Sequence, residues 1–471
     1  MTDFDICVIG AGSGGLSVAA GAAQMGANVV LIEKSDMGGD CLNTGCVPSK
    51  AILAAGHVAQ SMRDAGKFGM ASQSPQVDWQ GVHDHVHGVI AAIAPNDSQE
   101  RFEGLGVTVI RAAGEFVDRR TVKAGDQLIR AKYFVLATGS SAFVPTIEGL
   151  DQVDYFTNEN IFDNTEAVSH LIVIGGGPIG MELAQAHRRL GAEVTVMEMA
   201  RLLVKDDPEL TGIVIRHLQH EGIKLVEGGR NLKLEKTADG QIAARCESDL
   251  GKQCATGSHL LIATGRRANV NGLNLEAAGV KYSPRGVEVD ARLRTSNKRI
   301  FAIGDVAGPY QFTHMAAYQA GIVIRNMLFK LPAKVDYTAV PWVTYTDPEL
   351  AHVGMSEADA EQTGREIRVL RWQFAENDRA QAEKRTEGMI KVITTPKGMI
   401  LGASIGGLHA GELIQPWVLA ISQKLKIGAM ASMIAPYPTL AEANKRIAGS
   451  FYTDKLFSAK TKWLVRFLLR F

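Results

Sequence analysis

The chain has 471 residues, 46% of them apolar, with 50 Lys and Arg against 50 Asp and Glu, so its formal charge is zero. That length exceeds one hydrophobic core and predicts a few domains of about 100–200 residues, and the balanced charge excludes a general nucleic-acid binder, which needs a basic face. Five scattered cysteines (Cys7, Cys41, Cys46, Cys246 and Cys254), a start without a basic signal-peptide stretch and the lack of a bilayer-length apolar run predict a soluble cytoplasmic body.

In chain order, the apolar run Asp5–Ile9 enters Gly10-Ala11-Gly12-Ser13-Gly14-Gly15. A helical stretch of small residues follows, then a strand Val29–Ile32 that ends at Glu33. In such a loop the first glycine permits a tight turn and the second lets backbone approach a pyrophosphate. The third lets helix pack on strand, and the acid binds ribose hydroxyls. Next comes Gly38-Gly39-Asp40-Cys41-Leu42-Asn43-Thr44-Gly45-Cys46-Val47-Pro48-Ser49-Lys50. Two cysteines at this spacing can bridge if the chain folds back to about 4.4–6.8 Å between Cα atoms, a turn that Gly45 eases. The alternatives are a metal site and two inert core thiols. A four-coordinate zinc site needs further Cys or His ligands at regular spacing, and none is nearby.

The run Phe134–Ala137 ends in Thr138-Gly139. Leu171–Ile174 then enters a second loop, Gly175-Gly176-Gly177-Pro178-Ile179-Gly180, and strand Val194–Met197 ends at Glu198. The interval from Gly15 to Glu33 equals that from Gly180 to Glu198. One such loop is weak evidence and could be a glycine-rich turn without a ligand; two copies, each between a strand and a helix, predict two dinucleotide sites. Glu198 opposes a 2′-phosphate, so the second site is expected to take NADH over NADPH, a preference that Arg201 could soften. Leu260–Ala263 ends in Thr264-Gly265, and Ile300–Ile303 ends in Gly304-Asp305. Beyond about Val340, strands Met389–Ile393 and Ile400–Ile405 with intervening helices read as a third, α+β unit without a phosphate loop.

The segment Gly38–Lys50, the two glycine loops, Asp305 and the stretch Pro438-Thr439-Leu440-Ala441-Glu442 resemble the class I pyridine nucleotide–disulfide oxidoreductases. That family includes dihydrolipoamide dehydrogenase, glutathione reductase and mercuric reductase. The resemblance covers nearly the whole chain. It implies an α/β fold with two Rossmann-like dinucleotide-binding domains and a C-terminal α+β dimerisation domain. The expected boundaries are 1–150 and 271–339 for the FAD domain, 151–270 for the NAD(P) domain, 340–454 for the interface domain and 455–471 for a basic tail. It also implies a homodimer with FAD and NAD(H) as cofactors and no metal.

By the same resemblance, Gly10, Gly12, Gly15, Glu33, Lys34, Gly39, Lys50, Thr138, Gly139, Ser140 and Asp305 are expected to contact FAD, with Gly114 and His314 as secondary candidates. Gly175, Gly177, Gly180, Glu182, Glu198 and Gly265 are expected at the NAD site. The expected catalytic set is Cys41, Cys46, Lys50, Glu182, Tyr437 and Glu442. Lys50 and Glu182 resemble the family's ion pair beside the flavin. Electrons are expected to pass from NADH through FAD to the cysteine pair, with Cys46 a thiolate facing the flavin and Cys41 the exposed interchange thiol. A lysine near a thiol lowers its pKa; without the motif, Lys50 reads as a solvated helix lysine.

One departure stands out. The family's disulfide reductases carry a histidine before Pro-Thr that moves the proton on the interchange thiol. Here the segment is Ala435-Pro436-Tyr437-Pro438-Thr439, with Glu442 retained. Histidine titrates near 6.5 and tyrosine near 10, so Tyr437 is a poor general base, although its phenol could donate to a leaving thiolate. A metal ion or a quinone-like acceptor therefore fits better than a thiol substrate. Mercuric reductases share this tyrosine, but they add a C-terminal cysteine pair, and no cysteine follows Cys254 here. Two alternatives are a drifted dihydrolipoamide dehydrogenase and a non-catalytic redox-sensing flavoprotein at a membrane. Pro178 stands where many relatives carry a bulky residue over the flavin. His409 reads as a packed, satisfied histidine in a core strand and turn rather than a substitute base.

From Lys455 the tail carries five basic residues and no acid. Lys462, Arg466 and Arg470 share one helical stripe, and Trp463, Leu464, Phe467, Leu468 and Phe471 fill much of the rest. This is the composition of a helix lying in an anionic membrane surface, with docking on the protein itself or on another copy as alternatives.

Overall fold

The computed structural model describes residues 2–471. The chain forms two compact units, one of residues 1–63, 72–199 and 228–336, the other of residues 64–71, 200–227 and 337–471.

In the first unit, strand β1 (Thr2–Ile9) leads into helix α1 (Ser13–Gln24) and strand β2 (Val29–Glu33). A short helix α2 (Gly39–Asn43) and a long helix α3 (Cys46–Asp64) follow. Strands β3 (Val107–Arg111), β4 (Gly114–Asp118), β5 (Thr121–Ala124) and β6 (Gln127–Leu136) complete a sheet of order β3-β2-β1-β6-β5-β4. Its β3-β2-β1-β6 part is parallel. Both faces of that part are covered: Ile6, Val8, Val29 and Leu31 enter one core, while Cys7, Ile9, Val30 and Ile32 enter the other. That is why these strands are unbroken apolar runs rather than alternating ones.

After strand β7 (Ser140–Ala142), the second nucleotide fold repeats the plan with β8 (His170–Ile174), α4 (Pro178–Arg189) and β9 (Glu193–Met197). Strand β10 (His259–Ile262) lies parallel to β8 on the side away from β9. An antiparallel ribbon of Arg230–Lys236, Ile242–Ser248 and Gly251–Gly257 precedes β10. The chain then returns to the first sheet through β11 (Arg266–Ala268) and β12 (Ile300–Ala302), which pairs with β6. Helix α5 (Thr313–Met327) packs on α1, where a methyl on Gly21 would stand 2.8 Å from Ile324 Cδ1.

The second unit holds a five-stranded antiparallel sheet. Its order is β13 (Pro341–Thr344), β14 (Glu349–Gly354), β17 (Ile400–Gly407), β16 (Met389–Thr394) and β15 (Arg368–Gln373). The fully buried Trp417 donates through Nε1 to Asn444 Oδ1 at 2.8 Å, and Asn444 donates in turn to Leu413 O. Lys391, in the middle of β16, is 4% exposed and sits among carboxylates: Asp207 at 2.7 Å, Glu209 at 3.1 Å, and Glu357. Burial works against its charge, yet the hydrogen bonds to these three acids outweigh it and lift its pKa. Removing one partner of a buried ion cluster strands the others and costs about 3–5 kcal/mol. Lys391→Met is therefore expected to lower the unfolding free energy from urea denaturation by an amount of that order; a value within error of wild type would show that the cluster is structurally idle.

Candidate functional site

The two glycine loops are built alike. Gly10 has φ +104° and Gly175 φ +113°, and a methyl on either would stand 2.4 Å from a carbonyl oxygen, that of Ala137 or Ala263. A methyl on Gly15 would reach Gly10 O at 1.8 Å, and one on Gly180 would reach Gly175 O at 2.0 Å. These four positions admit only glycine. Gly12 and Gly177 differ: a methyl on Gly12 would meet nothing closer than 4.0 Å, and one on Gly177 would meet nothing within 4 Å. Each is the N-cap of its helix, and neither helix has a side-chain cap or an acid in its first turn. The N–H groups and positive dipole ends of α1 and α4 thus stand clear, as anion binding requires.

The acids close each loop in the same way. Glu33 Oε2 accepts the Ala11 N–H at 2.5 Å and its Oε1 accepts the Ser35 N–H at 2.7 Å, while Glu198 Oε2 accepts the Gly176 N–H at 2.7 Å. Lys34 is exposed beside Glu33, and Gly114 is buried at the start of β4 against Ile9 and Ile32. The open second-glycine positions, uncapped helix ends and adjacent acids fit a dinucleotide pyrophosphate and ribose at each loop.

The chain exits converge. Gly139 (φ +66°) and Gly265 (φ +128°) lie at the ends of β7 and β11, which pair antiparallel. Thr138 Oγ1 donates to Asn269 O, and Thr264 Oγ1 donates to Phe143 O, both at 2.7 Å. Ser140 donates to Asp305 Oδ2 at 2.6 Å. Burial raises the Asp305 pKa, an effect that the Ser140 bond and Arg266 partly offset.

The cysteine segment lies directly on the first glycine loop. Gly38 N donates to Ala11 O at 3.0 Å, and a methyl on Gly39 (φ +61°) would stand 2.8 Å from Gly12 Cα. Asp40 then laces the segment together. Its Oδ1 accepts from Thr44 Oγ1 at 3.1 Å and Asn158 Nδ2 at 3.2 Å and pairs with Arg266 Nη2 at 3.0 Å. Its Oδ2 would stand 2.7 Å from a methyl on Gly45. Glycine at 45 therefore serves a close approach to Asp40 as well as the turn between the cysteines.

Cys41 and Cys46 are both free thiols here, and each shifts the other's titration. Cys46 opens α3 and lies 3.3 Å from Thr313 Oγ1. The hydrogen bond from Cys41 pulls the Cys46 thiol down to about 6; burial opposes this, Thr313 and the Lys50 charge assist it, and the Asp40 charge opposes it. Cys41 is pushed the other way, by its bond to Cys46 and then by burial. Lys50 Nζ pairs with Glu182 Oε2 at 2.8 Å, and Glu182 is buried, so this lysine is tethered rather than a freely solvated helix residue. In the chain by itself Cys46 is exposed and Cys41 is half-buried.

Several members of this cluster carry no sequence motif of their own. Thr313, Asn158 and Arg266 are remote in the chain from the cysteines, and only folding brings them there. His314, next to Thr313, is exposed and stacked on Phe312 with ring centroids 5.2 Å apart.

In the second unit, the Tyr437 hydroxyl donates to Asp378 Oδ2 at 3.0 Å. That bond raises the phenol's pKa further above the neutral range. Glu442 opens helix α6 (Glu442–Ser450) and pairs with Arg446 at 2.7 Å. His409 departs from its expected packing. It is exposed, with φ +55°, because the chain reverses immediately after β17 and this position takes the left-handed turn.

These charges make the thiol titration a direct test. In the reduced protein, the alkylation rate of Cys46 is expected to fall as pH drops through about 6, because only the thiolate attacks. Lys50→Met should move this acid limb to higher pH and Asp40→Asn to lower pH. Arg266→Gln, by releasing the Asp40 charge, should move it higher. An unchanged limb in all three variants would refute the electrostatic account.

A family model for pyridine nucleotide-disulphide oxidoreductases matches residues 4–320, and one for that family's dimerisation domain matches residues 340–448. The chain is 35% identical to a mercuric reductase of Bacillus cereus, over 96% of this chain and 72% of the relative. It is 33% identical to a dihydrolipoyl dehydrogenase of Thermus scotoductus, over 97% and 99% respectively. Its fold matches a Cu(II) complex of the HOCl-induced flavoprotein disulfide reductase RclA from Escherichia coli with a TM-score of 0.84 at 25% identity, over 94% of this chain and 99% of that one. The dimerisation domain supports a homodimer. This chain belongs to the pyridine nucleotide-disulphide oxidoreductases, FAD-dependent enzymes that oxidise NAD(P)H and act on a sulfur group.

Proposed function

We propose that the chain uses NADH and delivers electrons from the Cys41–Cys46 pair to a metal ion or a quinone-like compound rather than to a thiol-forming disulfide. The observation that carries this reading is Tyr437, whose hydroxyl is engaged by Asp378. Releasing a substrate thiol needs a group that gives and takes a proton near neutral pH, and a phenol with a raised pKa does neither.

When bound, FAD supplies the hydride chemistry that no side chain can perform. The residues around it have separable tasks. Gly10, Gly12, Gly15 and the end of α1 hold a pyrophosphate, and Glu33 holds a ribose. Lys50, tethered by Glu182, keeps positive charge beside Cys46. Cys46 carries the thiolate, while Cys41 holds its proton, donates it as a hydrogen bond, and is the sulfur proposed to meet the acceptor. Oxidising the pair to a disulfide releases two electrons, and the Cys41 proton passes to solvent or to the acceptor. A quinone-like acceptor gains support from the exposed apolar helix at residues 459–468.

The nicotinamide preference rests on Glu198. Its carboxylate is held against the second loop by the Gly176 N–H, where a 2′-phosphate would meet a negative charge. Glu198→Gln is expected to shift the ratio of kcat/KM for NADH over NADPH toward NADPH by about tenfold, the equivalent of about 1.4 kcal/mol. A wild-type ratio below one would overturn the NADH assignment.

The acceptor assignment is tested by Tyr437→His. It should raise turnover with dihydrolipoamide or glutathione disulfide by about 10² or more, the lower end of what a positioned acid–base group supplies. No gain with either substrate would count against the proton-transfer argument, and brisk wild-type dihydrolipoamide oxidation would favour a dihydrolipoyl dehydrogenase instead. In an anaerobic NADH titration, long-wavelength absorbance should survive in Cys41→Ser and vanish in Cys46→Ser; its loss in neither would remove the assigned thiol roles.

A further inference from the structure

The last helix of the chain forms with none of its residues buried. Helix α7 (Ala459–Leu468) is capped by Ser458, which accepts the Thr461 N–H at 3.2 Å, and Thr461 Oγ1 donates back to Lys455 O at 2.7 Å. These local bonds order it, yet no residue from Thr453 onward is buried. Trp463 is 66% exposed, Leu468 57%, Leu469 81% and Phe471 96%. Trp463 stacks on Phe467 at 5.8 Å, and Phe467 meets Phe471 at 5.5 Å, making a continuous aromatic edge. An exposed apolar surface of this extent marks an interaction site.

Charge selects the occupant. At 100° per residue, Lys462, Arg466 and Arg470 lie on one narrow stripe beside the aromatic edge, with Lys460 near the start of the helix and Lys455 just ahead of it. No acid follows Asp454. Among the described residues, the ion pairs of this region join Asp454 to Arg368 and Glu442 to Arg446, and none reaches the five tail cations. Two such helices would repel each other, which disfavours pairing with the tail of a second copy. The segment also lies beyond residue 448, where the match to the dimerisation domain ends. No helix among the described residues is long and apolar enough to cross a membrane, so a spanning role is not available to α7.

We propose that α7 binds the surface of an anionic lipid bilayer, lying in its plane with Trp463, Phe467, Leu464, Leu468 and Phe471 in the acyl boundary and Lys462, Arg466 and Arg470 at the headgroups. Both features then find partners: the apolar arc leaves water and the basic stripe meets phosphate. This goes beyond the acceptor assignment and holds whichever acceptor is used.

The test uses full-length holoenzyme, a form truncated after Asp454, and the triple variant Lys462→Gln, Arg466→Gln, Arg470→Gln. Each is sedimented with vesicles of phosphatidylglycerol and phosphatidylcholine, or of phosphatidylcholine alone. Full-length protein should bind the anionic vesicles, release them at high salt, and show a blue shift of Trp463 fluorescence measured against the truncated form. The triple variant should partition more weakly, by about fivefold per cation removed, and truncation should abolish binding while leaving NADH oxidation intact. Equal binding by the truncated form, no binding by the full-length form, or an assembly larger than the truncated form's in the absence of vesicles would overturn the proposal, the last in favour of a second copy.

Discussion

The backbone of Gly39 passes so close to that of Gly12 that a single methyl would stand 2.8 Å from the Gly12 Cα. This approach joins two segments with different tasks. Gly12 belongs to the loop that offers uncapped N–H groups to a pyrophosphate, and Gly39 begins the short helix carrying Cys41. The hydrogen bond from Gly38 N to Ala11 O holds the two together. This contact sets the cysteine segment against the first nucleotide loop, and it requires glycine at 39, whereas a methyl on Gly12 would stand 4.0 Å from its nearest neighbour.

Around the cysteines, charge is arranged so that the two sulfurs differ. One carboxylate, Glu182, is buried and ties Lys50 beside the pair. Another, Asp40, lies within the same turn as Cys41 and would raise the neighbouring thiol if unopposed. Arg266, arriving from the far side of the second nucleotide fold, holds Asp40 at 3.0 Å and also neighbours Asp305. The two thiols shift in opposite directions mainly through each other, and for Cys46 the Lys50 charge adds to the lowering while the Asp40 charge opposes it. The strand pair β7–β11, which carries Ser140 and Arg266, is the element that makes the second nucleotide fold a participant in thiol chemistry.

At its output end the molecule departs from the thiol-releasing members of its family. Tyr437 donates to Asp378, and the proposal that it is a fixed donor and not a proton shuttle rests on that bond. The basic, apolar helix near residues 459–468 lies beyond the family's matched domains and buries none of its side chains. A lipid surface and an acceptor dissolved in it are physically compatible, although neither requires the other.

The sequence by itself determined what depends on local steric and electronic necessity. The glycines at 10, 15, 175 and 180 are forced by carbonyl oxygens within 2.4 Å, and the apolar runs of the parallel strands by burial on both faces. For the same reason the acids at 33 and 198, the cysteine segment and the substitution at Tyr437 were legible as motifs. Tertiary structure alone decided the rest. Thr313 reaches Cys46, and Arg266 and Asn158 reach Asp40, only because separate strands and helices converge there, and no spacing encodes that convergence. The exposure of His409 was likewise undecidable from pattern, because solvent access depends on what packs over a residue, and that is a property of the whole fold.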